Sequence, residues 1–209
     1  TMGAHVSGAG TDTVKIRGVK QLRGGTYAVI PDQIEAGTYM AAAVATGGNV
    51  LVQNVIPKHM ECITTRLREM GARITEFDDA IRVQSSFPLR RITVKTMPYP
   101  GFPTDMQAQI CVCMVLATGT SRLTESVYET RFFGYCSELE NMGAKIKVDG
   151  KTANVTGMGE CKLRGTTVHA KDLRAGAALI IAGLAAEGTT YVKNIHYVER
   201  GYERIIEKL

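Results

Sequence analysis

The chain repeats itself with a period of 72 residues, and that period limits the possible folds more than any single motif does. Ala45-Thr46-Gly47 returns as Ala117-Thr118-Gly119, and Leu67 with Met70-Gly71-Ala72 returns as Leu139 with Met142-Gly143-Ala144. Ala36, Val55 and Ile74 map onto Ala108, Val127 and Ile146 in the same register. Each unit reads as an acid-led apolar helix, a short strand (50–55, then 123–127) and an amphipathic helix ending Leu-x-x-Met-Gly-Ala. The glycine is expected to stop that helix in a left-handed cap. A strand pattern follows at 73–77 and at 145–148 and turns back as a hairpin, with Asp149-Gly150 predicting a type I′ turn.

A third unit opens at Lys171-Asp172 with another apolar helix, then a strand at 190–195 and a helix running to 209. Met2-Gly3-Ala4 repeats the helix-ending tripeptide, and a hairpin is expected between Val6 and Gly18. The pattern divides the chain into 1–30, the end of a preceding domain and a crossover, and 31–209, a domain of units at about 31–100, 101–170 and a truncated 171–209. Ile110-Cys111-Val112-Cys113-Met114-Val115-Leu116 is apolar on every side of a helix and belongs inside a structure. Two arrangements satisfy such helices: a layer of buried helices with sheets and amphipathic helices outside it, or the buried helices of a doubly wound sheet.

The 25 Lys and Arg are scattered, with Arg90-Arg91 the sole adjacent pair, so the net charge of +5 suits a small anion and gives no basic block for nucleic acid. Cysteines at 62, 111, 113, 136 and 161 are odd in number and form no C-x-x-C, which reads as reduced, buried thiols in the cytoplasm. His5, His59, His169 and His196 lack ligand spacing, so no metal site is expected. The Gly-rich stretches match neither G-x-G-x-x-G nor a Walker loop, and no cofactor is expected. No apolar run reaches the roughly 18 residues of a membrane span.

One carboxylate stands out, in Tyr99-Pro-Gly-Phe-Pro-Thr-Asp-Met-Gln-Ala-Gln109. Pro100 and Pro103 push the residues before them toward extended conformations. Thr104 then reads as an N-cap, with Gln107 completing a capping box, and a helix is expected over about 105–117. Asp105 either complements the helix dipole or is a functional acid delivered by a stiff approach.

Four ordered stretches, Pro31-Asp-Gln-Ile-Glu-Ala-Gly-Thr38, Pro98 to Gln109, Asp172-Leu-Arg-Ala-Gly176 and Glu199-Arg-Gly-Tyr-Glu-Arg204, resemble the motifs of UDP-N-acetylglucosamine 1-carboxyvinyltransferases. The resemblance covers the C-terminal half of such enzymes. It implies an enolpyruvyl transferase fold: an inside-out α/β barrel of repeated βαβαββ units with buried apolar helices, here incomplete. It implies transfer of enolpyruvyl from phosphoenolpyruvate to the 3′-hydroxyl of UDP-N-acetylglucosamine with phosphate release, the first committed step of peptidoglycan synthesis.

By the same resemblance Asp105 is the base at the sugar hydroxyl and Arg200 grips phosphoenolpyruvate. Thr104, Asp172 and Arg174 line the cleft, and Val127 by its backbone and Tyr128 by its ring contact the nucleotide. The acid that protonates C3, a loop cysteine in the family, lies in the N-terminal half; the chain alone is therefore expected to be catalytically incomplete and to need that half as partner. A shikimate-pathway enolpyruvyl transferase and a non-catalytic binding module share the fold and remain alternatives.

Overall fold

A computed structural model describes residues 2–159 and 161–209. The chain divides into two units, Thr1–Pro31 and Asp32–Leu209. The first carries an antiparallel pair, β1 (His5–Ser7) and β2 (Lys15–Arg17), with Val6 opposite Ile16.

The second unit begins with α1 (Gln33–Ala45), whose N-cap Asp32 accepts the Ile34 N–H at 2.7 Å. The chain continues through β3 (Asn49–Gln53), α2 (Glu61–Glu69), β4 (Arg73–Glu76), β5 (Ala80–Gln84), β6 (Leu89–Arg90) and β7 (Thr93–Lys95). The second repeat supplies α3 (Gln107–Val115), β8 (Ala117–Thr118), β9 (Thr120–Thr124), α4 (Cys136–Asn141), β10 (Lys145–Asp149) and β11 (Thr152–Thr156). The third supplies β12 (Thr167–His169), α5 (Leu173–Ala185), β13 (Tyr191–Lys193) and two short helices, α6 (His196–Glu199) and α7 (Ile205–Lys208).

The repeat is visible in the backbone. Gly71 and Gly143, each just past an amphipathic helix, have φ of +109° and +102°, so the left-handed caps form as expected. The middle unit is a full βαβαββ: its sheet runs β10-β11-β9-β7, with β7 parallel to β9 across α3 and a hairpin closing the far side. The first unit forms the antiparallel sheet β3-β5-β4, and in the third β12 lies parallel to β13. Among the described residues these sheets close no barrel.

Buried helices α1, α3 and α5 pack on one another, with the sheets outside them, which is the inside-out arrangement rather than a doubly wound one. All nine residues of α3 are buried. Met40, Ala41, Val44, Ile110, Val112, Met114, Ala178, Leu179 and Ala182 fill the common core. The three helices run the same way, since their early residues Thr38, Gln109 and Arg174 share one hydrogen-bonded cluster.

Several boundaries differ from expectation. Strands β3 and β9 end at Gln53 and Thr124, before Val55 and Val127, because the chain leaves each sheet to enter a turn. The 149–152 hairpin has one positive-φ residue, Gly150, where a type I′ turn needs two. The final segment is two helical turns, not one helix to 209. Cys111, Cys113 and Cys136 are buried, but Cys62 is half-buried and Cys161 exposed.

Candidate active site

The expected capping box does not form. The segment before α3 folds back so that Thr96 bridges Phe102, and Thr104–Met106 then takes a 3₁₀ turn with no side-chain cap. Gln107 is fully buried with neither amide atom partnered. Thr104 does not cap because its hydroxyl is used elsewhere, donating to Glu125 Oε2 at 2.9 Å.

Asp105 sits in that 3₁₀ turn between two arginines. Arg131 Nη2 donates to Oδ1 at 2.9 Å and Arg174 Nη2 donates to Oδ2 at 2.9 Å. The arginine side chains are 12% and 15% exposed and the Asp105 side chain 39%, so the carboxylate edge faces solvent while its cations are tucked behind it. Burial works against the Arg174 charge, but Tyr202 and Asp105 outweigh it and hold the guanidinium above its usual range.

Each arginine is itself held. Arg131 Nε donates to Thr104 Oγ1 at 3.0 Å, and its guanidinium lies 5.0 Å from the Tyr128 ring centre. Arg174 reaches the Tyr202 hydroxyl at 3.4 Å, and that hydroxyl lies 2.9 Å from Thr38 Oγ1. Gln109 Nε2 donates to Thr38 at 3.1 Å and to Tyr202 at 3.3 Å, joining all three central helices just below the carboxylate.

Asp172 caps α5, accepting the N–H of Arg174 and of Ala175, both at 2.8 Å. Its other oxygen lies so near Gly134 that a Cβ there would come within 2.9 Å of it, so a larger residue at 134 would have to displace the Asp172 carboxylate. Val127 and Tyr128 are about half exposed, and both donate their N–H to Glu125 Oε1, at 2.8 and 2.9 Å. Both amide hydrogens are therefore satisfied, and the Tyr128 carbonyl accepts the Arg131 N–H at 3.0 Å.

Arg200 does not join this cluster. It ends α6, exposed, with its guanidinium 5.9 Å from the Tyr197 ring centre. Arg131 and Glu125 were missed by sequence reasoning. Glu125 had a signal: Ser121, Leu123 and Glu125 alternate onto the buried side of β9 and its extension, so an acid fell on a core position. Arg131, 26 residues from Asp105, had none.

Elsewhere, a cavity of about 680 Å³ opens at the opposite ends of the central helices, between Thr46, Phe87, Leu116, Lys162 and Leu184. Its described lining holds Cys161 and Lys162 but no carboxylate, whereas the Asp105 end joins a carboxylate to two guanidinium groups. Among the described residues no three His, Cys, Asp or Glu group as metal ligands, and no helix is long and apolar enough to cross a membrane.

The family model described as EPSP synthase (3-phosphoshikimate 1-carboxyvinyltransferase) matches residues 1–209. A UDP-N-acetylglucosamine 1-carboxyvinyltransferase of Desulfofundulus thermocisternus is 52% identical over 209 residues, which cover 100% of this chain and 85% of that protein. The chain belongs to the enolpyruvyl transferase family. It is also 56% identical over 208 residues to UDP-N-acetylglucosamine 1-carboxyvinyltransferase 3 of Caldanaerobacter subterraneus subsp. tengcongensis, covering 100% of the chain and 49% of the relative. The chain thus spans about half the length of most curated relatives it matches. Among solved enolpyruvyl transferases it resembles NikO from Streptomyces tendae, at TM-score 0.86 and 31% identity over 100% of this chain and 49% of that one. An EPSP synthase from Acinetobacter baumannii shares the fold at TM-score 0.75 and 19% identity, over 99% of this chain and 51% of that one.

Proposed function

We propose that this chain is the C-terminal half of a UDP-N-acetylglucosamine enolpyruvyl transferase, moving enolpyruvyl from phosphoenolpyruvate to the 3′-hydroxyl of the amino sugar with release of phosphate. In this reading it serves peptidoglycan synthesis in the bacterial cytoplasm, and its partners are the two substrates and the complementary half. The observation that carries the reading is Asp105, solvent-facing at the end of the buried helices and flanked by two held guanidinium groups.

The reaction needs a base at the hydroxyl, cations around phosphate and carboxylate, and an acid for C3. Asp105 is the base. Each of its oxygens takes one arginine N–H and keeps a second lone pair, so it can orient the hydroxyl first and accept its proton late. Arg174 and Arg131 offer planar forks to the anion. Arg200, exposed and without an acidic partner among the described residues, is assigned to phosphoenolpyruvate. Thr104 and Asp172 shape the floor, and the Val127 carbonyl and Tyr128 ring take the nucleotide. The proton for C3 is assigned to the complementary half.

The test is phosphate release from phosphoenolpyruvate by this chain mixed with a separately made N-terminal half, with UDP-N-acetylglucosamine or shikimate 3-phosphate as acceptor. Release that needs the amino sugar and disappears in Asp105→Asn supports the reading. Release with shikimate 3-phosphate alone refutes the substrate. No release from a mixture shown to associate favours a non-catalytic module.

A further inference from the structure

Glu125 is a fully buried carboxylate that accepts four hydrogen bonds and touches no arginine. Its Oε1 takes the Thr96 hydroxyl at 2.6 Å and the Val127 and Tyr128 N–H groups, and its Oε2 takes the Thr104 hydroxyl. Burying such a charge is costly unless donors replace its water, and here four do. The Thr96 end is braced in turn, since its hydroxyl accepts the Ser126 N–H at 2.9 Å and the Ser126 hydroxyl donates to the Thr96 carbonyl.

The consequence reaches the reacting groups through one atom. Because Thr104 spends its proton on Glu125, its oxygen presents a lone pair, and Arg131 Nε donates to that lone pair at 3.0 Å. Arg131 is thereby aimed at Asp105 Oδ1. The same carboxylate pins the Val127 and Tyr128 amides, which fixes the turn carrying both the exposed Tyr128 ring and Arg131. A strand end, the turn after it and the entry to α3 thus meet on one buried acid.

We propose that Glu125 is the positioning residue of this site: it orients Thr104, and through Thr104 aims Arg131 at Asp105, while holding the Val127–Tyr128 backbone that faces the nucleotide. The proposal rests on the reading of this face as the substrate site, and its structural half can be tested without that reading.

A carboxylate is required because all four partners donate. In Glu125→Gln the amide nitrogen can sit without a clash of donors only opposite Thr104, away from the two backbone N–H groups. Thr104 must then accept from it, its own proton loses an acceptor, and the lone pair aimed at Arg131 is contested. Glu125→Asp keeps the charge but shortens the reach. Thr104→Val removes the relay while leaving the other three bonds to Glu125.

The experiment has two parts. In the chain as it stands, amide exchange of Val127 and Tyr128 is measured beside urea unfolding for wild type, Glu125→Gln, Glu125→Asp and Thr104→Val. Exchange at both amides should speed up about 10-fold or more beyond any change in global stability in Glu125→Asp, whose carboxylate falls short of the two N–H groups, and stay near wild type in Thr104→Val and in Glu125→Gln, whose amide oxygen still faces them. In the mixture with the complementary half, Glu125→Gln should lower kcat on the order of 100-fold, as for a misplaced catalytic group. It should lower kcat far less when Thr104→Val is already present, because both changes cut one relay. Unchanged exchange in Glu125→Asp, or equal losses of kcat from Glu125→Gln in both backgrounds, would overturn the proposal. Should the mixture turn over neither acceptor, the functional reading fails, and the exchange data alone still decide whether Glu125 holds the turn.

Discussion

Asp105→Asn should cost stability as well as activity. The carboxylate accepts two charge-assisted bonds, each 2.9 Å, from Arg131 and Arg174. Hydrogen bonds to charged groups contribute about 1.5–3 kcal/mol when sheltered. The Asp105 side chain is 39% exposed, so solvent screening reduces each to about 1 kcal/mol. Asparagine keeps the shape and one acceptor oxygen, but turns an N–H₂ toward the other guanidinium, donor against donor. It also removes a negative charge from a first helical turn, about 0.3–1 kcal/mol. The net expectation is a loss of about 2 kcal/mol. In urea, with a slope of about 2 kcal/mol per molar, the midpoint should fall by about 1 M. High salt should recover only part of the difference, because the arginines are 12% and 15% exposed. In an Arg174→Ala background the cost of Asp105→Asn should fall by about half. A midpoint that is unchanged or raised would show that the carboxylate does not hold the two guanidinium groups, and the site as described would be wrong.

Gly71→Ala and Gly143→Ala should cost nearly the same, about 1–2 kcal/mol each, because both have strongly positive φ and neither Cβ would meet a close neighbour; unfolding midpoints that differ widely would break the equivalence of the repeats. Tyr202→Phe should cost only about 1 kcal/mol, since Gln109 still reaches Thr38 at 3.1 Å; a loss above about 3 kcal/mol would make that hydroxyl the keystone of the helix cluster. Burial pushes the Cys111 and Cys113 thiols from 9.0 up to about 12, so above pH 9 the unfolded chain releases protons that the folded one keeps, and stability falls as pH rises. By pH 10 the loss is about 1.4 kcal/mol per thiol, and a Cys111→Ala, Cys113→Ala double variant should flatten the alkaline slope of urea-unfolding stability by about twice that amount.

The layers were readable because they rest on periodicity and local chemistry. An all-round apolar helix has to be buried, a Met-Gly-Ala ending demands a left-handed residue, and Asp32 and Asp172 do cap their helices. Asp105 was readable by its stiff approach. Its partners were less so, because Arg131 and Arg174 reach it only through the packing of three helices and a turn, and sequence distance carries no trace of that. Arg200 illustrates the converse: a motif names the residue, yet it stands exposed beside Tyr197 and apart from the Asp105 cluster. Glu125 could have been found, since an acid on the buried parity of a strand conflicts with local pattern, and such conflicts mark sites.

The most informative conflict is in the repeat itself. In the 72-residue register Asp32 aligns with Thr104, so the position that caps α1 is occupied before α3 by a hydroxyl. That hydroxyl serves Glu125 and caps nothing, and the first turn tightens to a 3₁₀ turn over Thr104–Met106 with Pro103 at its N-cap. The acid has moved one place along, to Asp105, where it is no longer needed by backbone N–H groups. In α1 and α5 the aspartate's bonds go to its own helix; in the middle unit they go to arginines from a turn and from the neighbouring helix. A carboxylate released from capping is one that can face a substrate hydroxyl. Restoring the cap with Thr104→Asp should therefore draw the 104 side chain away from Glu125, where its added charge is repelled, and loosen Arg131. If that variant kept full turnover with the complementary half, the departure from the repeat would be incidental.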